Sequence, residues 1–383
     1  MKVIDYLNAH GVNGLVRDKA IHVREHKSPY QNLMVLNYDQ INSPKNDEIT
    51  MLCRNLIVQF CDDGFHVVSR SFDRFFNLGE MEDYYTDFVW ENATAQEKMD
   101  GSLISIYWNP LSMRWEVSTS GTAFGESEIY SSGVTYRQGV LAAFDVDDSN
   151  FNIWVDTIFH REYTYIFEFV SPENRIVTPY KKAEMILLAV RNHATGEYND
   201  TEKTDCYNRS VSVGATIYPS KMGLKFRLVE QFQIQSSGEI VDATESLTGL
   251  KEGFVVVDKN NKRIKIKNSQ YLILHKLRGK LTGLTRRDVF GLILSGESEE
   301  YLSYFKEDID MFDKAKVEID NQLSRMDLVY VDCNWLLSDK DFANSIILED
   351  AKSYMFSARK NKTMPSTEFK NSPIERRVKL FLK

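Results

Sequence analysis

Over the first 270 residues, apolar and β-branched positions come in short runs, each bounded by turn-forming residues. Arg54–Phe60 (RNLIVQF), Phe65–Arg70 (FHVVSR), Ser102–Trp108 (SLISIYW), Arg114–Gly121 (RWEVSTSG), Thr164–Val170 (TYIFEFV), Glu184–Val190 (EMILLAV), Gly253–Asp258 (GFVVVD) and Arg263–Lys267 (RIKIK) have the length and composition of strands. Asp62-Asp63-Gly64 and Asp258–Asn261 read as hairpin loops, and Ser127–Phe144 as a helical stretch. Beyond about residue 275 the period changes. Leu302, Phe305, Ile309, Phe312, Ile319, Leu323, Met326 and Tyr330 keep helical spacing with Lys316 interrupting, which predicts one long amphipathic helix entered through SGESEE. Thr285-Arg-Arg-Asp288 has the form of a capping box, and SDKDFANSIILEDAKSYMF (Ser338–Phe356) reads as a further helix.

The pattern predicts an α+β domain of antiparallel sheets with flanking helices over residues 1–275, followed by an all-helical domain over 276–383, with the boundary near Lys276–Leu284. There is no internal repeat and no low-complexity segment. At 383 residues, two or three domains are expected. No apolar run of 18 residues exists and the N-terminus lacks a signal-peptide core, which points to a cytoplasmic protein without a membrane partner. Cys53, Cys61, Cys206 and Cys333 have neither disulfide-framework nor metal-site spacing, in keeping with a reduced compartment.

Charge changes this picture only at the C-terminus. The net charge is −8, yet Lys352–Lys383 carries nine Lys or Arg against Glu368 and Glu375. That stretch reads either as a basic tail that meets phosphates or as a solvated, frayed end.

Candidate chemistry gathers at strand ends. In Glu97-Lys98-Met99-Asp100-Gly101, a lysine stands two residues before an Asp-Gly turn that opens directly into a strand. Glu168 and Glu252 are embedded in apolar strand sequence, where an unpaired carboxylate is costly, so each needs a cation, a donor or a ligand unless it faces out from an edge. Lys265 and Lys267 alternate with Ile264 and Ile266, so the two lysines share one strand face about 6–7 Å apart. Such a face is either solvated or a cradle for phosphates. The histidines are scattered without ligand spacing.

The run EKMDGS resembles the nucleotidyl-lysine motif of covalent nucleotidyltransferases, the superfamily of RNA ligases, DNA ligases and mRNA capping enzymes. FEFV (Phe167–Val170), EMILLAVRN (Glu184–Asn192), EGFVVV (Glu252–Val257) and KIK (Lys265–Lys267) resemble its later motifs, in order. LCRNLIVQF, SRSFDRFFNLGE, FEFVSPENRIVTPY, ILLAVRNHATGEY and LILSGESEEYLSYF are similar to the phage RNA ligase group typified by RNA ligase 1 of the T-even phages. The likeness is weakest over roughly the first 35 and last 40 residues.

The resemblance implies an ATP-dependent RNA ligase of the nucleotidyltransferase fold. Lys98 is then the nucleophile that takes AMP. It must be neutral to attack phosphorus, so burial and nearby positive charge, here Lys265 and Lys267, must bring it down from an ordinary ~10.4 towards neutrality. By the same resemblance Glu168 contacts the ribose or a metal-bound water; Arg54, Arg74, Glu97, Gly101 and Tyr38 join Lys98, Glu168, Lys265 and Lys267 in holding the nucleotide; and Asp100 and Glu252 hold catalytic Mg²⁺, with Mn²⁺ as the alternative. Glu299 falls where an acidic residue binds a second metal. Single-stranded RNA ends, with cleaved tRNA anticodon loops as the natural case, are the implied partners of a monomer, in the host cytoplasm if the chain is phage-encoded.

Several positions depart from the group's pattern. Asn55 follows Arg54 where glycine is usual, Arg74 replaces a lysine, Ser120 stands where a basic residue precedes the glycine, and Leu36 replaces an aromatic whose place Tyr38 can take. A capping enzyme or DNA ligase would carry a five-stranded barrel after KIK, where a helical period stands instead. The reading from another class is a non-catalytic RNA-binding protein on a ligase scaffold; the intact Lys98, Glu168, Glu252, Lys265 and Lys267 speak against it.

Overall fold

The computed structural model describes the chain apart from residues 27–32, 41, 130–131, 175–177, 179, 217–224, 248–250, 269–283, 297, 305–307, 336–337 and 383. It divides into two compact units, Met1–Tyr271 and Leu272–Lys383. The expected boundary near Lys276–Leu284 falls almost wholly outside the described residues.

The first unit is built on three sheets. In the first, β1 (Ile21–His26), β2 (Leu33–Tyr38), β3 (Leu56–Cys61) and β4 (Gly64–Arg70) form an antiparallel meander. Helix α1 (Lys2–Lys19), which sequence reading missed, packs Val3, Leu7 and Leu15 against its Ile21, Met34 and Leu36. Gly11 sits at φ 66° inside α1 and kinks it, which breaks the helical period over that stretch.

The second sheet has the order β11 (Arg227–Leu228), β10 (Glu184–Asn192), β9 (Tyr163–Val170), β7 (Ser102–Asn109), β8 (Arg114–Thr119). Its inner face supplies the largest core, where Trp115, Phe144, Phe151, Tyr165 and Phe167 are fully buried. An aromatic side chain buries about 150–250 Å², so each contributes on the order of 4–6 kcal/mol of burial before entropy is counted. The third sheet has the order β12 (Gln231–Ile234), β6 (Ala93–Glu97), β13 (Gly253–Val257), β14 (Arg263–Lys267), β5 (Phe76–Asn77). Pairing is antiparallel as expected, except that the two-residue strands β11 and β5 pair parallel to β10 and β14.

The expected helix over Ser127–Phe144 is shorter. It runs from Tyr136 to Phe144, because Thr135 and Gln138 form a capping box that starts the helix there.

The second unit is helical throughout its described secondary structure. The Thr285–Asp288 capping box is present and opens the helix Arg286–Ser295. The single long helix expected from Leu302 to Tyr330 is instead two, Ser298–Tyr304 and Ile309–Cys333, and Phe305 lies outside the described residues. The long helix buries Phe312, Ala315, Ile319, Met326, Tyr330 and Cys333. Ala315 thus fills the turn where Lys316 interrupted the stripe, and Ile309, at the helix start, is exposed rather than core. Ser338–Phe356 is likewise broken: Asp339–Ser345 ends at an extended Ile346, and Lys352–Asn361 begins after a short 3₁₀ turn. The basic C-terminus is ordered rather than frayed. It forms Lys352–Asn361, Pro365–Lys370 and Ile374–Lys379, with Phe369, Val378 and Phe381 buried and Phe381 stacked on Phe290 at 4.7 Å. No described helix is long and apolar enough to cross a membrane.

Candidate active site

The Lys98–Gly101 turn carries the chain from β6 of the third sheet into β7 of the second. The sequence EKMDGS thereby holds its lysine at the junction of two sheets. The Lys98 backbone N–H donates to the Gly253 carbonyl at 2.9 Å, so the lysine leaves β6 beside the start of β13. Gly253 in turn pairs with Lys267 on β14. Gly253 has φ 143°, and a Cβ there would fall 2.1 Å from the Ile266 carbonyl oxygen, so only glycine fits.

These three strand ends bring three charges together. Glu252, only 4% exposed, accepts Lys98 Nζ and Lys267 Nζ on one carboxylate oxygen, each at 2.7 Å. The sequence led us to expect Lys265 and Lys267 to repel the Lys98 ammonium. Instead Glu252 stands between Lys98 and Lys267, and Lys265 Nζ lies 5.1 Å above the Phe75 ring.

On the β7 side, Gly101 N–H donates to Glu168 Oε1 at 3.2 Å. A Cβ on Gly101 would meet the Phe169 carbonyl oxygen at 2.4 Å, so glycine is what lets β7 close against β9 here. The Glu168 side chain is partly accessible, but its carboxyl group is desolvated. Burial, opposed by Lys98 and reinforced by Glu252 and Asp100, pushes it up to about 8. Near neutral pH the free protein therefore carries Glu168 largely protonated, able to donate a hydrogen bond.

Asp100 is held by Thr178 and Tyr180. Its Oδ2 accepts the Thr178 N–H at 2.6 Å and its own N–H donates to Tyr180 Oη at 3.1 Å. Buried Asn174 accepts from Ser102 Oγ at 3.1 Å and donates to the Phe169 carbonyl at 3.0 Å. Polar residues inside SPENRIVTPY were the available signal, but the loop that carries them has no period to place them.

Arg54, Arg74, Tyr38 and Lys265 fall into a second group around the Arg74-Phe75-Phe76 run. The Arg54 guanidinium lies 4.6 Å from the Phe75 ring centre, the ring that Lys265 also covers. Arg74, 3% exposed, lies 4.2 Å from the Tyr38 ring. Glu97, on the opposite strand face from Lys98, pairs with Lys251 at 3.2 Å. Glu299 is in the second unit, on Ser298–Tyr304, whereas all the others are in the first.

Two departures have local explanations. Asn55 adopts φ 49°, the left-handed conformation in which asparagine is the usual substitute for glycine, and its amide donates to Ser105 and Ser118 at 3.4 and 3.3 Å. Ser120 is exposed in the turn after β8, where its carbonyl accepts from Asn37 at 2.6 Å.

The carboxylates suit a magnesium-like ion. Such ions take one or two protein carboxylates and complete their shell with phosphate oxygens and water, and Glu252 and Asp100 are both buried beside the lysine turn. Among the described residues, three ligand-type side chains converge only at half-buried Cys61 and exposed Asp63 and His66 on the β3–β4 hairpin, away from this turn in the chain.

Comparison with known proteins places the chain. A family model described as RNA ligase matches residues 52–274. A protein of Autographa californica nuclear polyhedrosis virus, named as a bifunctional polynucleotide kinase/RNA ligase, is 34% identical over 285 residues. That match covers 71% of this chain but only 37% of the viral protein. An RNA ligase of Rhodothermus phage RM378 is 24% identical over 356 residues, 78% of this chain and 76% of that one. Among solved structures, an archaeal ATP-dependent RNA ligase gives a TM-score of 0.49 at 14% identity, over 91% of this chain and 78% of that chain. On the family match over residues 52–274, this chain belongs to the RNA ligase family.

Proposed function

We propose that the chain is an ATP-dependent RNA ligase that joins RNA 5′-phosphate and 3′-OH ends through a lysyl–AMP intermediate. The observation that carries the reading is Lys98 Nζ and Lys267 Nζ meeting on Glu252 at 2.7 Å each, at a sheet junction whose close backbone approach requires Gly101 and Gly253. In the first step the Lys98 amine attacks the α-phosphorus of ATP, forms a phosphoramidate and releases pyrophosphate. The adenylate then passes to an RNA 5′-phosphate to give an AppRNA end. The RNA 3′-OH attacks that phosphate and expels AMP.

Each side chain has a task. When ATP phosphate approaches, Lys267 and Lys265 offer the positive face of β14, and Arg54 and Arg74 add charge from the Phe75 side. Glu168, whose carboxyl burial raises in the free protein, is the hydrogen-bonding partner of the ribose or of a metal-bound water. Glu252 and Asp100 would hold the divalent ion, Mg²⁺ or Mn²⁺, which when bound offsets negative charge at the phosphates. Glu299 is read as the residue that would hold a second, non-catalytic ion. Tyr38, with Arg74 against its ring, is the aromatic that packs beside the nucleotide. The helical unit, with its basic helices from Lys352 onward, presents RNA; repair of a cleaved tRNA anticodon loop is supported by the phage-type motifs alone.

The test is incubation with α-³²P-ATP and Mg²⁺ followed by a denaturing gel, beside Lys98→Ala. An acid-labile, alkali-stable label absent from the variant is expected. An unlabelled wild-type band would sink the first step, and labelling by GTP in place of ATP would redirect the reading to capping chemistry.

A further inference from the structure

Arg263, Lys265 and Lys267 alternate onto one face of β14, so the cationic row that begins at Lys98 continues about 13 Å along the strand. At its far end Arg263 turns inward. It is 5% exposed, with its guanidinium 4.0 Å from the Tyr198 ring centre and 4.7 Å from that of Phe72. Arg191, 2% exposed, lies 4.7 Å from the same Tyr198 ring, and Arg70 is also buried. Among the described residues, one carboxylate bonds directly to these guanidiniums. Asp73 takes Arg191 through both oxygens, at 2.9 and 2.6 Å, and Arg70 at 3.5 Å.

The cluster is over-supplied with cations. Buried Lys203 is within electrostatic reach of Arg263 and is pulled down to about 8, mainly by burial, with Asp200 opposing. Arg70 Nε and Arg263 Nε are both buried with no hydrogen-bond partner among the described residues, although nine in ten buried polar groups have one. Gly196, at φ 82°, closes over Arg70: a Cβ there would fall 1.9 Å from its Nη1. So, among the described residues, the fold encloses four cations and two unmet donors, and gives them one directly bonded carboxylate. Buried charges on that scale call for another anion. Asp73 is also the accessible member, with 37% of its side chain exposed against 3% for Arg191. A carboxylate bridging two guanidiniums occupies the place a phosphate would take between them.

We infer that Arg70, Arg191, Arg263 and Lys203 form a second phosphate-binding pocket beside the Lys98 site, filled by the Asp73 carboxylate until a phosphate group displaces it. The Asp73 carbonyl accepts from Arg54 Nη1 at 3.5 Å, so this segment also touches the predicted nucleotide-binding group. Two sources of phosphate fit: the pyrophosphate leaving group, or a terminal phosphate of RNA. The choice between them rests on the ligase reading; the charge imbalance does not.

The test uses full-length Lys98→Ala protein, in which no adenylate forms. Inorganic pyrophosphate is titrated by calorimetry, and labelled single-stranded RNA with a 5′-phosphate or a 5′-hydroxyl by anisotropy. Adding Asp73→Asn removes the competing carboxylate and is expected to tighten one of the phosphate ligands by about tenfold. Adding Lys203→Met removes a buried charge at similar side-chain length, and is expected to loosen the same ligand several-fold; it stands in if the Asp73 variant unfolds. A response with pyrophosphate alone identifies the leaving group, and one with phosphorylated RNA alone identifies the RNA end. Unchanged affinities for both ligands in the folded variants overturn the pocket. A wild-type protein that takes no label from ATP while the variants still respond would sink the ligase reading and leave the pocket standing.

Discussion

Glu252→Gln is the sharpest perturbation of the site. The glutamine keeps the size of the side chain and loses the charge that two lysines share. With each contact at 2.7 Å and an effective dielectric of about 20, the gross attraction is roughly 6 kcal/mol per pair. The net cost is smaller. Breaking a buried pair by removing one partner costs about 3–5 kcal/mol, and Lys98, whose side chain is 21% exposed, recovers some hydration. We expect about 3 kcal/mol. Lys98→Ala leaves Glu252 paired with Lys267 and should cost about 1 kcal/mol. Both variants are expected to lose labelling by ATP under the proposed function, so stability is what separates them. Trp90, Trp108, Trp115 and Trp154 lie in the first unit and only Trp335 in the second, so tryptophan fluorescence in urea follows the relevant unfolding. With a slope of about 3 kcal/mol/M, the midpoint should fall by about 1 M for Glu252→Gln and about 0.3 M for Lys98→Ala. In the double variant the costs should fall short of additive by at least about 1 kcal/mol, because the Lys98 ammonium is no longer stranded. Equal costs for the two single variants, or strict additivity, would refute the shared-carboxylate account.

Gly101→Ala should cost about 2–3 kcal/mol and most of the labelling by ATP, since its Cβ would sit 2.4 Å from the Phe169 carbonyl oxygen; wild-type labelling would contradict the close β7–β9 approach. Because Glu168 is raised from an ordinary 4.5 to about 8, its contribution to stability is complete below about 4.5 and is lost as pH rises through about 8. Wild-type stability relative to Glu168→Gln should therefore fall by about 3 kcal/mol between pH 6 and 9, and a flat difference in urea midpoints would count against the desolvated carboxyl. Asn55→Gly should change stability by under about 1 kcal/mol, the relief of φ 49° balancing two long hydrogen bonds. Asn55→Ala, with neither benefit, should cost about 2 kcal/mol by the same measurement, and equality of the two would remove the left-handed explanation.

Much of this protein was legible because its information is local. The strands of the first unit announce themselves as β-branched runs between turns, and Thr285-Arg-Arg-Asp288 states a helix start in four residues. Lys98, Asp100 and Gly101 are contiguous, so their proximity needed no fold. Helix limits were less legible. Thr135 starts a helix within a stretch whose composition suits one throughout, and the kink at Gly11 hides the period of α1.

What only tertiary structure decided is which distant groups share a charge. Nothing in the spacing says that Glu252 would lie between Lys98 and Lys267, because strand order 6-13-14, not sequence order, makes them neighbours. The same holds for Arg70, Arg191 and Arg263, three arginines from separate strands that meet around Asp73 and Tyr198. Residue type and local period determine which elements form and which chemistry is on offer. Coulomb attraction, which depends on distance in space and strengthens where burial lowers the dielectric, determines which of those charges must answer one another.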